Sequence, residues 1–256
     1  MALNGGVTSV AAAALLALAT LAVQTARAET VDDMIARHVA ARGGAEALSA
    51  IRTLTITGKL RPPGFDADLS YYETIARPGK ARIDVTLQGL TVVQSYDGAA
   101  GWQIQPFNGR KDPETLSKDD VKSLQEEADF EDPLIDYRAK GGTVTYLGLE
   151  DVDGAPAHAL RVTLKNGDTQ TWYLDPDLWL AVRVTTRTIQ RGVETVNDTD
   201  FGDYEKVAGV WFPFEQESGT KGSSQRQHLT YDKVEVNLPI DDSRFVQPVA
   251  KAAGVH

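Results

Sequence analysis

From Thr53 onward the chain alternates apolar and polar residues in short runs broken by turn residues. Leu54, Ile56 and Leu60 alternate with Thr53, Thr55, Thr57 and Lys59, and Ile83, Val85 and Leu87 with Arg82, Asp84 and Thr86. A period of two belongs to a half-buried strand, whose side chains point to opposite faces in turn. The pattern returns at Leu160, Val162 and Leu164, at Trp172 and Leu174, at Leu180, Val182 and Val184, and at Val234, Val236 and Leu238. Between the runs stand Arg77-Pro78-Gly79, Asp97-Gly98, Gly141-Gly142, Asp153-Gly154, Asn166-Gly167, Asp175-Pro176-Asp177, Arg191-Gly192 and Gly209. Such turn chemistry joins neighbouring strands antiparallel. About ten or eleven strands are predicted.

Helical spacing is confined to two regions. Thr30 is placed to cap a helix with Asp32 and Asp33 in its first turn and Val31, Met34, Ile35 and Val39 along one stripe. Gly43-Gly44 stops it, and Ala45, Ala47, Leu48 and Ile51 resume a second stripe. The other region starts at Ser117 and buries Val121, Leu124 and Ala128, with Pro133 opening a short turn through Tyr137. Strands lie about 4.8 Å apart, so ten or eleven laid flat would span about 50 Å, whereas one helix covers about 10 Å. Two or three short helices cannot cap a flat sheet of that width. The expected architecture is therefore α+β: a strongly curved antiparallel sheet, an incomplete β-barrel, with a few helices plugging its apolar concave side. No repeat, low-complexity linker or composition break divides residues 29–256, which are expected to form a single domain.

The N-terminus changes the compartment. An apolar run from Val10 to Val23, interrupted by Thr20, leads to Ala26-Arg27-Ala28, the small-x-small pattern of a signal-peptidase site. Residues 1–28 are read as a signal peptide cleaved after Ala28, although no Lys or Arg precedes the apolar run. Its removal takes away Arg27 and no acid, moving the formal charge from −10 to −11. So acidic a chain would be repelled by nucleic acid and by anionic surfaces. The absence of cysteine excludes disulfides, thiolate metal sites, a cysteine nucleophile and N-terminal acylation at cysteine. A soluble, monomeric periplasmic protein is the expectation.

Catalytic motifs fail in turn. There is no Gly-x-Ser-x-Gly elbow and no Gly-x-Gly-x-x-Gly, and Gly219-Thr220-Lys221-Gly222-Ser223 lacks phosphate-loop spacing. His38, His158, His228 and His256 show no metal-ligand spacing and read as surface or boundary residues. Asp198, Asp200, Gly202 and Asp203 hint at a calcium loop but lack its closing glutamate. Glu126, Glu127, Asp129, Glu131 and Asp132 crowd the C-terminal end of a helix, unfavourable for negative charge; a solvated loop is the expected reading. No catalytic residue, metal or cofactor is expected.

At Arg77-Pro78, the strand Ala81 to Leu87, Tyr96-Asp97-Gly98, Trp102 and Pro106, the chain resembles the LolA/LolB-like periplasmic lipoprotein-carrier superfamily. The lead-in Ala41-Arg42-Gly43-Gly44, with Leu48 and Ile51, looks like a periplasmic lipoprotein-sorting-like branch other than LolA itself. The resemblance implies an unclosed barrel with helices in its mouth and an apolar cavity for acyl chains. It also implies that Arg77 matches an arginine that hydrogen-bonds a lid helix and helps set the closed state. The acidic helical insertion at 106–140 and the long C-terminal portion depart from LolA. On this basis the chain is expected to carry a lipid or lipoprotein acyl chains without catalysis, exchanging cargo with a membrane-bound donor or acceptor. The rival class is a periplasmic sensor that docks a partner protein. The lining is assigned to Leu54, Ile56, Leu60, Ile83, Val85, Leu87, Val92, Trp102, Trp172 and Leu174, with Val121 and Leu124 from a lid helix and Arg77 as its latch.

Overall fold

The computed structural model describes residues 29–108, 111–190 and 192–249. The signal segment 1–28, Arg191 and His256 lie outside the described residues. Three α-helices are present among those described: α1 (Val31–Arg42), α2 (Ala45–Ala50) and α3 (Lys122–Glu127). The strands before α3 are β1 (Thr53–Arg61), β2 (Leu69–Ala76), β3 (Lys80–Leu87), β4 (Leu90–Tyr96), β5 (Gly101–Ile104) and β6 (Glu114–Thr115). After it come β7 (Thr143–Val152), β8 (Ala155–Thr163), β9 (Thr169–Leu174), β10 (Ala181–Gln190), β11 (Val193–Val207), β12 (Val210–Thr220) and β13 (Gln227–Val236).

All thirteen strands form one antiparallel sheet, ordered β6-β5-β4-β3-β2-β1-β13-β12-β11-β10-β9-β8-β7. The two halves of the chain are each a meander, joined where β1 pairs with β13. The sheet is curved and open, as the alternation required. The strand count exceeds the expected ten or eleven; the four-residue β5 and two-residue β6 flank Pro106 and Pro113, where no sustained alternation marks them.

Local chemistry explains the helical lead-in. Thr30 Oγ1 accepts from the Asp33 amide at 3.2 Å while Asp33 Oδ2 accepts from the Thr30 amide at 3.0 Å, a reciprocal cap on α1. Gly43, at φ 129°, ends the helix against the β11–β12 turn; a Cβ there would lie 2.2 Å from the Gly209 carbonyl oxygen. This backbone approach admits only glycine.

The concave face is covered in two parts. Leu54, Ile56, Ile75, Phe212 and Phe214 pack with Leu48 and Ile51 around α2. Leu160, Val162, Leu174 and Ala181 pack with Met34 and Ile35 of α1 and with Leu134. The convex face has its own cover near the chain end. Trp102 is 2% exposed, and its Nε1 donates to the Phe245 carbonyl at 2.6 Å, as Ser95 Oγ does at 3.1 Å. Trp102 pairs with Ser95, which lies one residue out of phase with the inward Gln94 and Tyr96. Its assignment to the lining is thereby corrected: it is outer-face core beneath the C-terminal segment.

A second correction concerns β10. Leu180, Val182 and Val184 alternate as if on one face, but the register shifts between Ala181 and Arg183. Ala181 opposite Leu174 and Val184 opposite Trp172 both face inward, while Val182 packs outside against Ala157, Ala159 and Tyr173. A bulge adds one residue and reverses the parity.

Candidate functional site

The concavity is incompletely filled. A cavity of about 670 Å³ lies between the sheet and the α3–Tyr137 segment. This is within the usual range of small-ligand pockets. Its apolar walls include Leu54 and Ile56 of β1, Ile75 of β2, Trp172 of β9, Val184 of β10, Phe201 of β11, Phe212 of β12 and Tyr231 of β13. The wall therefore draws on both meanders, although its residues stand far apart in sequence.

Of the residues assigned to the lining, Leu54, Ile56 and Trp172 border this cavity. Leu60, Ile83 and Val85 are partly buried beside the α2 core, and Val92 pairs with Val85 on the same face. Leu87 pairs with Leu90 at the end of its hairpin, near the sheet rim. Leu174 is fully buried under α1. Val121 and Leu124 anchor α3: both are buried, and Val121 occupies the room left by Gly101, where a Cβ would lie 2.4 Å from Val121 Cγ2. These side chains pin α3 in place, and Lys122 and Ser123 between them border the cavity.

Arg77 spans two elements. Its Nε donates to the Ile51 carbonyl at 2.8 Å and one terminal nitrogen to Leu48 at 3.4 Å, both at the C-terminal end of α2. The same nitrogen donates to Glu131 Oε1 at 2.6 Å, and the guanidinium lies 4.6 Å from the Phe130 ring centroid. A cation at a helix C-terminus is favourably placed. The helix it caps is α2, and its carboxylate partner follows α3. Arg77→Leu strips donors from both sides and is expected to lower stability by about 2 kcal/mol, read as a reduced urea midpoint; an unchanged midpoint would leave Arg77 a simple turn residue.

The acidic run does not form the expected solvated loop. Asp132 is buried, with His38 Nε2 3.0 Å and an Arg42 terminal nitrogen 2.6 Å from its Oδ2, and the Leu134 amide 3.1 Å from Oδ1. Burial would raise this carboxyl, but the hydrogen bonds and charges of His38 and Arg42 outweigh it and hold it well below the ordinary range. His38, expected at the surface, is 0% exposed, and its Nδ1 lies 2.7 Å from the Trp179 carbonyl oxygen. Each ring nitrogen thus lies within hydrogen-bond distance of an oxygen, which fixes the ring between Asp132 and the β9–β10 turn. Asp129 pairs with Lys140 at 2.6 Å.

Two carboxyls of α3 face the cavity. Glu126 Oε2 accepts from Gln170 Nε2 at 2.9 Å, and burial, followed by the charge of Asp168, pushes Glu126 up to about 7. Glu127 is exposed and stands at the border of the cavity. Behind it stands Glu73, 1% exposed on β2, whose Oε2 accepts from the Tyr71 hydroxyl at 2.8 Å. Burial raises both Glu73 and Glu127, the charge of Glu127 raising Glu73 further. No local motif in the sequence marks Glu73, a single acid between the apolar Tyr71 and Ile75. Its inward parity, between Ile56 and Ile83, was the available signal.

Other polar clusters lie outside the concavity. Asp200 of the supposed calcium loop is held by Arg183 and Arg226 along β11. Glu215, Glu217 and His228 place donor atoms within 4.8 Å of one another across β12 and β13, on the outer face. Adjacency in sequence could not reveal that trio. Glu217 is already engaged by His228 at 2.9 Å and by Arg226 at 3.4 Å.

Together these features define a class: an open antiparallel half-barrel whose mouth carries helices and whose interior keeps an apolar, acid-rimmed cavity. The fold is LolA-like. A LolA superfamily protein from Nitrosomonas europaea superposes with a TM-score of 0.59 at 11% identity, covering 86% of this chain and 98% of its own. An outer membrane lipoprotein-sorting protein domain from Vibrio parahaemolyticus gives 0.58 at 12% identity, covering 84% and 97%. A DUF1329 family protein from Desulfovibrio piger gives 0.55 at 13%, also covering 84% and 97%. No protein-family model and no curated protein matches the sequence. Among the described residues, no helix is long and apolar enough to cross a membrane.

Proposed function

We propose that this chain is a periplasmic carrier, one domain over residues 29–256 once the signal is removed, that shelters the hydrocarbon part of a lipid or lipoprotein without catalysis. The observation that carries the reading is the 670 Å³ cavity walled by Leu54, Ile56, Trp172, Phe201 and Phe212 inside a LolA-like sheet. Burying a hydrocarbon chain there gains about 0.8 kcal/mol per methylene, so a medium-length chain needs no covalent bond to be held. Organic extraction of the natively purified protein, followed by mass spectrometry, should release an acyl or alkyl species in near-stoichiometric amount. Repeated extraction of an empty protein from its own compartment would count against the carrier.

A second reading is favoured by the edge of the sheet. Strand β7 (Thr143–Val152) has no strand neighbour on its outer side among the described residues, and Leu149 on it is exposed. An unpaired edge of this length can accept an extended segment of another protein. A stoichiometric protein partner recovered without lipid would favour that docking role.

A further inference from the structure

Toward one end of the concavity the inward rows of five strands change from apolar to uncharged polar. On β9 Trp172 gives way to Gln170, on β10 Val184 to Thr186 and Thr188, and on β11 Phe201 to Thr199 and Asn197. On β12 Phe214 gives way to Gln216 and Ser218, and on β13 Leu229 to Gln227. The register sets these side chains next to one another: Val184 pairs with Thr199, Thr199 with Ser218 and Ser218 with Gln227, while Thr186 pairs with Gln170 and Asn197. A second cavity of about 630 Å³ lies against this end. Lys122, Ser123, Glu126, Thr186 and Thr199 border it and the first alike, so the two lie side by side.

The opposite faces of the same strands are unlike this one. They carry Arg187, Glu194, Asp200, Glu217 and Arg226 at the alternate positions, paired with one another across the strands. A plain solvated rim would show such charges on the inner face too, and a closed core would stay apolar there. The inner face shows hydroxyls and amides instead, and their hydrogen-bonding capacity is largely unspent. Thr188 and Thr195 bond each other at 3.0 Å. No hydrogen bond joins the side chains of Thr186, Thr199, Ser218 or Gln227 to another group among the described residues. The charged groups bordering the second cavity among the described residues are Lys122 and Glu126 of α3, and both are engaged. Lys122 donates to the Ile189 carbonyl at 3.0 Å with Asp119 and Asp168 within 4 Å, and Glu126 accepts from the Gln170 amide at 2.9 Å.

Resting on the carrier reading, we propose that the cargo is an amphiphile with an uncharged, hydroxyl-rich headgroup, a polyol or a glycosyl unit. The hydrocarbon lies along Leu54, Ile56 and Phe212 in the first cavity, and the headgroup hydroxyls meet Thr186, Thr199, Ser218 and Gln227 in the second. Hydroxyl and amide side chains both donate and accept, as headgroup hydroxyls do, so the match needs no net charge on either side. A phosphate, carboxylate or ammonium brought to the same place would leave water with no counter-ion waiting for it.

Titration calorimetry of the delipidated protein with decyl maltoside, decanol, decanoate and decyltrimethylammonium, each below its micellar concentration, holds the chain constant and varies the head. Decyl maltoside should bind about 10-fold more tightly than decanol, the size of one or two net hydrogen bonds, and neither charged amphiphile should bind more tightly than decanol. In Thr199→Val/Ser218→Ala, which removes two hydroxyls at nearly constant shape, the maltoside advantage should fall below about 3-fold, with decanol binding retained as the control for folding. Equal binding of maltoside and decanol, a charged amphiphile bound more tightly than the maltoside, or an advantage that survives in the variant overturns the headgroup assignment and leaves the apolar carrier intact. Failure of all four to bind the unaltered protein overturns the carrier reading itself.

Discussion

Asp132→Ala should lower the unfolding free energy by about 3–5 kcal/mol, the cost of stripping one partner from a buried charge network. The carboxylate accepts from His38, from Arg42 and from the Leu134 amide within 3.1 Å. Its removal leaves the Nε2 of His38, at 0% exposure, without its hydrogen-bond partner, and the Arg42 guanidinium without its carboxylate. Arg42 is better placed to recover, because its side chain keeps some access to water. The loss would be a third or more of the roughly 5–15 kcal/mol that holds an ordinary domain. The network ties α1 to the segment after α3, and through the Trp179 carbonyl to the β9–β10 turn, so the cavity wall should loosen with it. Urea unfolding followed by the fluorescence of Trp172 and Trp179 measures the effect directly. A change under about 1 kcal/mol would mean that water reaches the cluster. The double variant Asp132→Leu/His38→Leu should recover part of the loss, since an apolar pair leaves no unpartnered ring nitrogen in the core and Arg42 keeps some access to water.

Stability should fall as the pH rises from about 4.5 to 7, and Glu126→Gln should flatten that slope. The sign follows from linkage. Glu126 titrates at its ordinary 4.5 when unfolded and at about 7 when folded. Below 4.5 both states hold the proton. Between 4.5 and 7 the unfolded chain releases it while the folded chain keeps it, so each step up in pH favours unfolding. Above 7 both are ionised and the penalty is constant, a few kcal/mol at most for a group partly open to the cavity. Glu73 and Glu127, also raised by burial, act in the same direction. Asp132 acts in the opposite one: its lowered carboxyl contributes stability that is present above the ordinary carboxylate range and lost in strong acid. Maximal stability is therefore expected in mildly acidic solution. Chemical unfolding across pH 4 to 8 tests this; a profile that rises through that interval would show the α3 carboxyls to be ionised and solvated in the folded protein.

Much of the fold was legible because it rests on short-range rules. Alternation at Leu54, Ile56 and Leu60 and at Ile83, Val85 and Leu87 marks strands whatever surrounds them, and the glycine and proline turns dictate that neighbours pair antiparallel. Thr30 with Asp33, and Gly43, mark the ends of α1 through contacts within a few residues or a backbone angle that only glycine takes easily. Periodicity failed where one residue changed its phase. The bulge at Val182 sent that side chain outward, and Trp102, apolar and strand-borne, lies on the outer face beneath Phe245.

The cavity's chemistry was less legible, since its partners are distant in sequence. His38 and Asp132 are separated by 94 residues and Arg77 and Glu131 by 54, so neither pair leaves a local pattern. The acidic run after α3 stood at the wrong end of a helix for negative charge, a sign of unusual surroundings that did not identify them. The sequence alone determined a one-sided antiparallel sheet too wide for its helices, because side-chain alternation and turn preference act between neighbours. Only the tertiary structure decided which carboxyls were drawn inside and which cations met them. That outcome depends on how a thirteen-stranded sheet curves and where its helices come to rest, and on the steep rise of electrostatic cost once a charge leaves water.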